Sequence, residues 1–201
     1  MSFCELLGKD NVDVLNLVFE GEKSVLWSFE RRINRFFGFY DGLSYKKIKK
    51  IINKSKDYDF VFIDTSIYGR IAYYLIKEKY EGKIICFFHN IEANIQRQKA
   101  KINPINFLEI WLAKFNEKIA CKYSDRLIVL TERDKNELKR VYGANNIDII
   151  PISLSDTFKN QDEELTSVPP TLLFIGNRWY ANLHGLKWFV NNVLDSVDIK
   201  L

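Results

Sequence analysis

The sequence predicts an α/β protein: a Rossmann-like parallel sheet with helices on both faces, followed beyond a linker by a lone βα unit, either docked on the first domain or the beginning of another. Three observations carry this. Short apolar runs at 60–63 (FVFI), 84–88 (IICFF) and 126–130 (RLIVL) alternate with stretches of helical periodicity, the order that builds parallel sheets through right-handed crossovers. The run 84–88 is continuously apolar, as in strands buried on both faces. From Ile152 to Pro170 the composition shifts to Ser, Asp, Glu, Gln and Pro, which reads as a linker.

In chain order, residues 1–8 read as the end of a helix stopped by Gly8. NVDVLNLVF at 11–19 is dominated by apolar and β-branched residues and reads as a strand. Residues 20–42, rich in Phe, Trp and Arg with Gly38 and Gly42 as breakers, read as a loop with a short helix. SYKKIKKIINK at 44–54 is a helix with Ile48, Ile51 and Ile52 on one stripe. The strand 60–63 closes on Asp64-Thr65-Ser66, and 69–78 follows as a helix stopped near Gly82. The strand 83–88 runs into His89-Asn90-Ile91-Glu92.

Asn103-Pro104 then opens a long helix over 105–123, with Leu108, Trp111, Leu112, Phe115 and Ile119 at helical spacing. After the strand 126–130, Thr131 with Asp134 three residues on caps a helix that runs to Tyr142 and stops at Gly143. IDIIP at 147–151 is a short strand. Beyond the linker, TLLFI at 171–175 reads as a strand and Gly176-Asn177-Arg178 as a turn. Residues 182–194 form a helix with Leu186, Phe189, Val190 and Val193 on one side.

Composition narrows the class. A hydrophobic fraction of 47% with 28% charged residues is that of an ordinary globular protein. The net charge of +4 is mild and no basic-aromatic array is present, so nucleic acid is not an expected partner. Cys4, Cys86 and Cys121 are far apart and lack metal spacing; they fit reduced thiols and a cytoplasmic location. No signal-peptide pattern opens the chain, and no apolar run is long enough to span a membrane. Six lysines fall between Lys46 and Lys56. They fit a solvated helix face, or attraction to an anionic lipid or substrate.

Ligands of open parallel sheets bind beyond the carboxyl ends of the strands. His89 follows a buried strand at that end and shares its turn with Asn90 and Glu92. Its imidazole can give or accept a hydrogen bond to a sugar or phosphate oxygen. Gly176 and Arg178 lie in a strand-to-helix turn suited to a phosphate. Asp57-Tyr58-Asp59 is a DxD, but it precedes a strand and reads as a polar turn. Glu109 and Glu117 stand about 80° apart on their helix and read as surface residues. No P-loop, dinucleotide fingerprint or nucleophile elbow is present.

The series HNIE after a buried strand, SDRLIVLTERD, YGANNIDIIP, and TLLFIGNRWYANLHGLKWF after a polar linker resembles the family 4 glycosyltransferases of the GT-B fold, of the exopolysaccharide and capsule type. The resemblance implies an acceptor domain over 1–151, incomplete at its start, a linker over 152–170, and the beginning of a donor domain over 171–201. It implies transfer of a sugar from a nucleotide-sugar to a lipid-linked or saccharide acceptor in cell-surface polysaccharide biosynthesis. No metal or cofactor is implied; the leaving diphosphate is stabilised electrostatically.

On this resemblance His89 is the cleft histidine, with Asn90, Glu92, Thr131 and Glu132 on the acceptor side and Gly176 and Arg178 near the donor phosphates. The departures are a glycine-rich loop not seen before residue 1, Pro151-Ile152-Ser153 in place of Pro-Asn-Gly, and a second domain that stops after one βα unit. They lead to the expectation of a chain truncated at both ends and inactive alone. The expected alternatives are an inactive gene remnant, or an acceptor-binding subunit that pairs with a separate donor-domain chain. The expected location is cytoplasmic, peripheral at the inner face of the plasma membrane, with the lysines between Lys46 and Lys56 touching anionic lipid.

Overall fold

A computed structural model describes residues 8, 11–15, 17, 25–40, 42–102, 107–152, 172–176 and 180–197. The chain divides into two units, Met1–Ser153 and Leu154–Leu201.

In the first unit two helices, α1 (Val25–Phe36) and α2 (Tyr45–Ser55), precede a sheet of four parallel strands. These are β1 (Phe60–Ile63), β2 (Lys83–Phe88), β3 (Arg126–Val129) and β4 (Ile147–Ile149), side by side in chain order. The crossovers carry α3 (Arg70–Lys77), then α4 (Glu92–Ile102) with α5 (Phe107–Tyr123), then α6 (Glu132–Tyr142). Ile63, Cys86, Leu127 and Ile147 pair across the four strands. Because strand side chains alternate, they share one face, and all four are buried. Ile48, Ile51 and Ile52 of α2, Ala72 and Leu75 of α3, Ala120 of α5 and Leu138 of α6 complete this core. The opposite face of β2 is only partly covered: Ile85 and Phe87 are half-buried, whereas the apolar run suggested a strand buried on both faces.

Local chemistry sets the element ends. Ser44 caps α2 by accepting the Lys47 amide. Thr131 Oγ1 accepts the Asp134 amide at 3.1 Å and so opens α6, as the sequence predicted. Gly143 closes α6 with φ +66, a left-handed conformation that favours glycine.

Several expectations are corrected. The described residues of 11–19 lie outside any strand. Asp13 pairs with Lys54, and the Leu17 carbonyl accepts Lys47 Nζ at 3.3 Å, so these described residues are tied to α2 and have no ladder partner among the described residues. β-Propensity without a partner makes no strand. Within 20–42 stands a full helix, α1, of 12 residues. Helix α4 occupies the stretch after His89-Asn90-Ile91, where the sequence showed only a turn; EANIQRQKAKI carries too few apolar residues to announce it.

The buried stripe of α5 is Leu112, Ala113, Asn116, Glu117 and Ala120, whereas Leu108 and Trp111 are half exposed. Small residues explain the rotation. A Cβ on Gly69 would collide with the Asn116 carbonyl and with Ala120, so α5 approaches the start of α3 through its alanines rather than its large side chains.

In the second unit, residues 172–176 are not in a strand, with Leu173 and Ile175 exposed. A strand needs a neighbour for its backbone groups, and these residues have none among those described. Helix α7 (Tyr180–Asn192) follows. Leu172, Phe174, Gly185, Leu186 and Phe189 line an open apolar groove of ≈ 210 Å³. Residues 1–7 of the helix end expected over 1–8, the Asn103-Pro104 helix start, most of the linker, and Asn177 and Arg178 lie outside the described residues.

Candidate functional site

Parallel strands deliver their carboxyl ends to one edge. β1 runs into Asp64, β2 into His89, and β3 into Leu130-Thr131. His89 Nε2 stands 3.1 Å from Asp64 Oδ1, and both side chains are exposed. The imidazole also rests on Phe87, ring centroids 4.3 Å apart at 50°. Phe87 in turn lies 6.2 Å from Phe62 of β1. An aromatic row on the half-buried sheet face therefore ends at a histidine paired with a carboxylate.

Around this pair, Asn90 is exposed beside His89. Glu92 sits half-buried in the first turn of α4; burial raises its carboxyl pKa, opposed by the charges of Lys99 and His89. Thr131 and Glu132 are exposed at the end of β3, whose Val129 pairs with Phe88 of β2. The Thr131 hydroxyl is already engaged with Asp134, donating to Oδ2 at 2.6 Å and accepting the amide. Thus the structure gathers His89, Asn90 and Glu92 on one turn and sets Thr131 and Glu132 on the neighbouring strand end. Gly176 belongs to the second unit, where a Cβ would press on the Phe174 ring and Asn182 Nδ2 at 3.0 and 3.1 Å; Arg178 is not among the described residues.

Asp57-Tyr58-Asp59 lies ahead of β1, at the opposite edge, where the Asp59 carbonyl accepts the Lys83 amide at 2.8 Å. The sequence reading of a polar turn holds there. Among the described residues, no three or more His, Cys, Asp or Glu gather into a set that could hold a metal ion. Among them also, no helix is long and apolar enough to cross a membrane.

Asp64, Glu117 and Glu109 depart from what the sequence suggests. In the sequence Asp64 is only the end of a strand; its place beside His89 follows from the parallel register of FVFI and IICFF. Glu117 was expected at the surface and is fully buried. Its carboxylate accepts the Ala93 amide at 3.4 Å and the Tyr142 hydroxyl at 2.6 Å. Burial pushes its pKa to about 7, against the lowering effect of Tyr142 and of the Glu92 and Ala93 amides; the charge of Glu92 adds to the rise. Glu109, its expected companion at the surface, is only 20% exposed and pairs with Arg35 of α1. Polar residues on the inward face of a helix look like surface residues in a sequence when their partners come from distant elements.

Cys86 is buried in the core and Cys121 is half-buried. Burial, then Glu117, pushes the Cys121 thiol to about 12. Both behave as inert thiols rather than nucleophiles.

No curated protein matches the chain. The family model described as Glycosyltransferase Family 4 matches residues 14–153, more than half of the chain. The match takes in all four strands and the whole carboxyl edge with Asp64, His89 and Thr131. The chain belongs to glycosyltransferase family 4.

Proposed function

We propose that this glycosyltransferase carries a sugar from a nucleotide-sugar to a lipid-linked or saccharide acceptor in cell-surface polysaccharide biosynthesis, with the acceptor held at the carboxyl edge of the sheet. The observation that carries the reading is the His89–Asp64 pair at the edge where parallel sheets bind ligands. With Nε2 turned to Asp64, Nδ1 of His89 is the nitrogen left to meet an acceptor hydroxyl. Asn90, Glu92 and Glu132 supply further polar groups to a sugar ring, and Thr131 supports the edge by capping α6. In the transfer, the acceptor hydroxyl oxygen bonds to the anomeric carbon and loses its proton, the bond from that carbon to the diphosphate oxygen breaks, and the nucleoside diphosphate leaves with that bond's electron pair and takes up the proton. Gly176 and Arg178 are assigned to the donor phosphates, an electrostatic task without a metal or cofactor. The exposed lysines of α2 are assigned to an anionic membrane surface.

A second reading is that the chain binds acceptor and works with a separate donor-domain chain. The exposed Leu173, Ile175 and Trp188 and the open apolar groove of the second unit favour it.

Acceptor binding tests both readings. The full chain is titrated with polyprenyl-diphosphate sugars and free oligosaccharides, with and without nucleotide-sugars. Binding that His89→Ala weakens at least tenfold supports the edge as the acceptor site. Acceptor binding unchanged by His89→Ala sinks the assignment. Product formed by the chain alone would remove the need for a separate partner.

A further inference from the structure

We propose that Glu117 is a positioning residue for the His89 turn: buried on α5, its carboxylate caps the helix that starts directly after His89-Asn90-Ile91 and fixes the turn from behind. The inference rests on the reading of that turn as the acceptor edge.

The first amides of any helix lack intrahelical partners, and a side chain at the N-cap commonly accepts one of them. At α4 the preceding residue is Ile91, an apolar side chain that is itself buried. It has no oxygen to offer. Glu117 supplies the acceptor from another helix: Oε1 takes the Ala93 amide at 3.4 Å, and the Glu92 amide also hydrogen-bonds to this carboxylate. The opposite oxygen accepts the Tyr142 hydroxyl of α6 at 2.6 Å. One buried group therefore joins three helices behind the site. A carboxylate at a helix N-terminus is additionally favoured by the helix dipole.

The residue before it does the same for the neighbouring loop. Asn116 Oδ1 accepts the Arg70 amide at 3.3 Å, at the start of α3, whose preceding residue is Gly69 with no side chain to cap it. Its amide nitrogen donates to the Gly38 and Leu112 carbonyls at 3.1 and 2.9 Å. The loops after β1 and β2, which carry Asp64 and His89, are thus both seated on adjacent residues of α5. This is a physical reason for two fully buried polar side chains, which would otherwise be a cost to folding.

The charged and titratable groups around the Glu117 carboxylate are Glu92 of α4, Cys121 of its own helix, Cys86 of β2 and Tyr142 of α6; Arg97 of α4 lies near Tyr142. The strength of the cap should therefore follow Glu117 ionisation, since an ionised acceptor bonds an amide more strongly than a neutral one.

The test uses the full chain and no sugar, so it is independent of the acceptor reading. Amide exchange and histidine ring signals are compared in wild type, Glu117→Gln and Glu117→Leu; the chain has two histidines, His89 and His184, and His184→Gln identifies the His89 signals. In Glu117→Leu the Glu92 and Ala93 amides should lose protection about tenfold or more, which is a cap loss of roughly 1.4 kcal/mol, and the His89 ring signals should move. Leu127 and Val129 of β3 should keep their protection. Glu117→Gln, which retains an acceptor oxygen, should restore part of the protection. If the Leu variant does not fold, the wild-type Ala93 amide decides: its chemical shift should titrate near pH 7, and in Glu117→Gln it should not. Unchanged Glu92 and Ala93 protection and unchanged His89 signals in a folded variant, or an Ala93 amide that responds to pH identically in wild type and Glu117→Gln, overturns the proposal. An acceptor that fails to notice His89→Ala would sink the site reading and leave the cap standing.

Discussion

His89 Nε2 and Asp64 Oδ1 stand 3.1 Å apart at the carboxyl ends of two adjacent parallel strands. The pair orients an imidazole that Phe87 supports from one side. A carboxylate that holds a histidine fixes which nitrogen faces the ligand. If Asp64 acts through His89, their effects on acceptor binding are not additive. Asp64→Ala should weaken acceptor binding several-fold, and His89→Ala more. The double variant should bind no worse than His89→Ala alone. Independent, multiplying losses in that cycle would mean that Asp64 touches the acceptor itself, and no loss in Asp64→Ala alone would mean that it has no part in the site.

The buried Glu117 makes stability depend on pH with a definite sign. Its pKa is about 7 in the fold against 4.5 as the ordinary value. The folded protein then holds a proton that the unfolded chain releases, so stability falls as pH rises from about 4.5 through about 7. The full swing is on the order of 3 kcal/mol. Asp125 and Glu137 are held low, Asp125 by the Ile84 amide ahead of Lys83 and Glu137 by Arg140; their contributions are lost at more acid pH, outside this window. Urea midpoints should therefore drop between pH 5 and pH 8 in wild type and stay flatter in Glu117→Gln. A wild-type midpoint that climbs over that range would contradict the sign.

What the sequence made legible follows from which interactions are local. The strands at Phe60–Ile63 and Lys83–Phe88, the cap at Thr131 and the stop at Gly143 rest on apolar runs and turn chemistry within a few residues, and the structure has them at those places. Helix α4 was missed because its own periodicity is weak and its N-terminal cap comes from Glu117, 24 residues away from Ala93. Glu117 itself was misplaced because its burial depends on Ala93 and Tyr142, which no helical wheel of α5 includes. His89 was found from the end of its strand, whereas Asp64 required the pairing of two strands. The apolar stretch at 171–175 reads as a strand from composition alone, but its described residues, 172–175, lie outside any strand, because a strand is a property of pairs.

Close approach at Gly69 should be intolerant of a methyl group. A Cβ there meets the Asn116 carbonyl, the Ala120 side chain and the Ala120 amide nitrogen. Backbone on one side and a fully buried alanine on the other leave no flexible neighbour to yield. Gly69→Ala should cost about 1–3 kcal/mol, read as a lower urea midpoint, and should also loosen the Arg70 amide capped by Asn116. A variant as stable as wild type would show that α5 can withdraw.

Thr131 should act through α6 before it acts on a ligand. Its hydroxyl both accepts the Asp134 amide and donates to the Asp134 carboxylate. Thr131→Ala should lower stability by about 1 kcal/mol, as for other lost N-caps, while Thr131→Ser keeps it. Acceptor affinity should follow stability in both variants. A Thr131→Ser protein of normal stability but much weaker acceptor binding would instead place the Thr131 methyl against the acceptor.

The lysines between Lys46 and Lys56, on α2 and at its C-cap, divide into two sets with different expected effects. Lys47 reaches the Leu17 carbonyl and Lys54 pairs with Asp13, so these two tie the preceding segment to the helix. Lys46, Lys49, Lys50 and Lys56 are exposed. Basic residues near an anionic bilayer contribute about 1 kcal/mol each, close to a fivefold change in partition per lysine. Replacing these four by Gln should therefore reduce binding to vesicles containing phosphatidylglycerol by two orders of magnitude or more, and leave stability nearly unchanged because none of the four is buried. Raising the ionic strength to about 1 M, where the screening length is about 3 Å, should release the wild type in the same way. Equal binding of wild type and the four-lysine variant, or equal binding to vesicles of neutral phosphatidylcholine, would remove α2 as the membrane-facing element and leave its lysines as a solvated face.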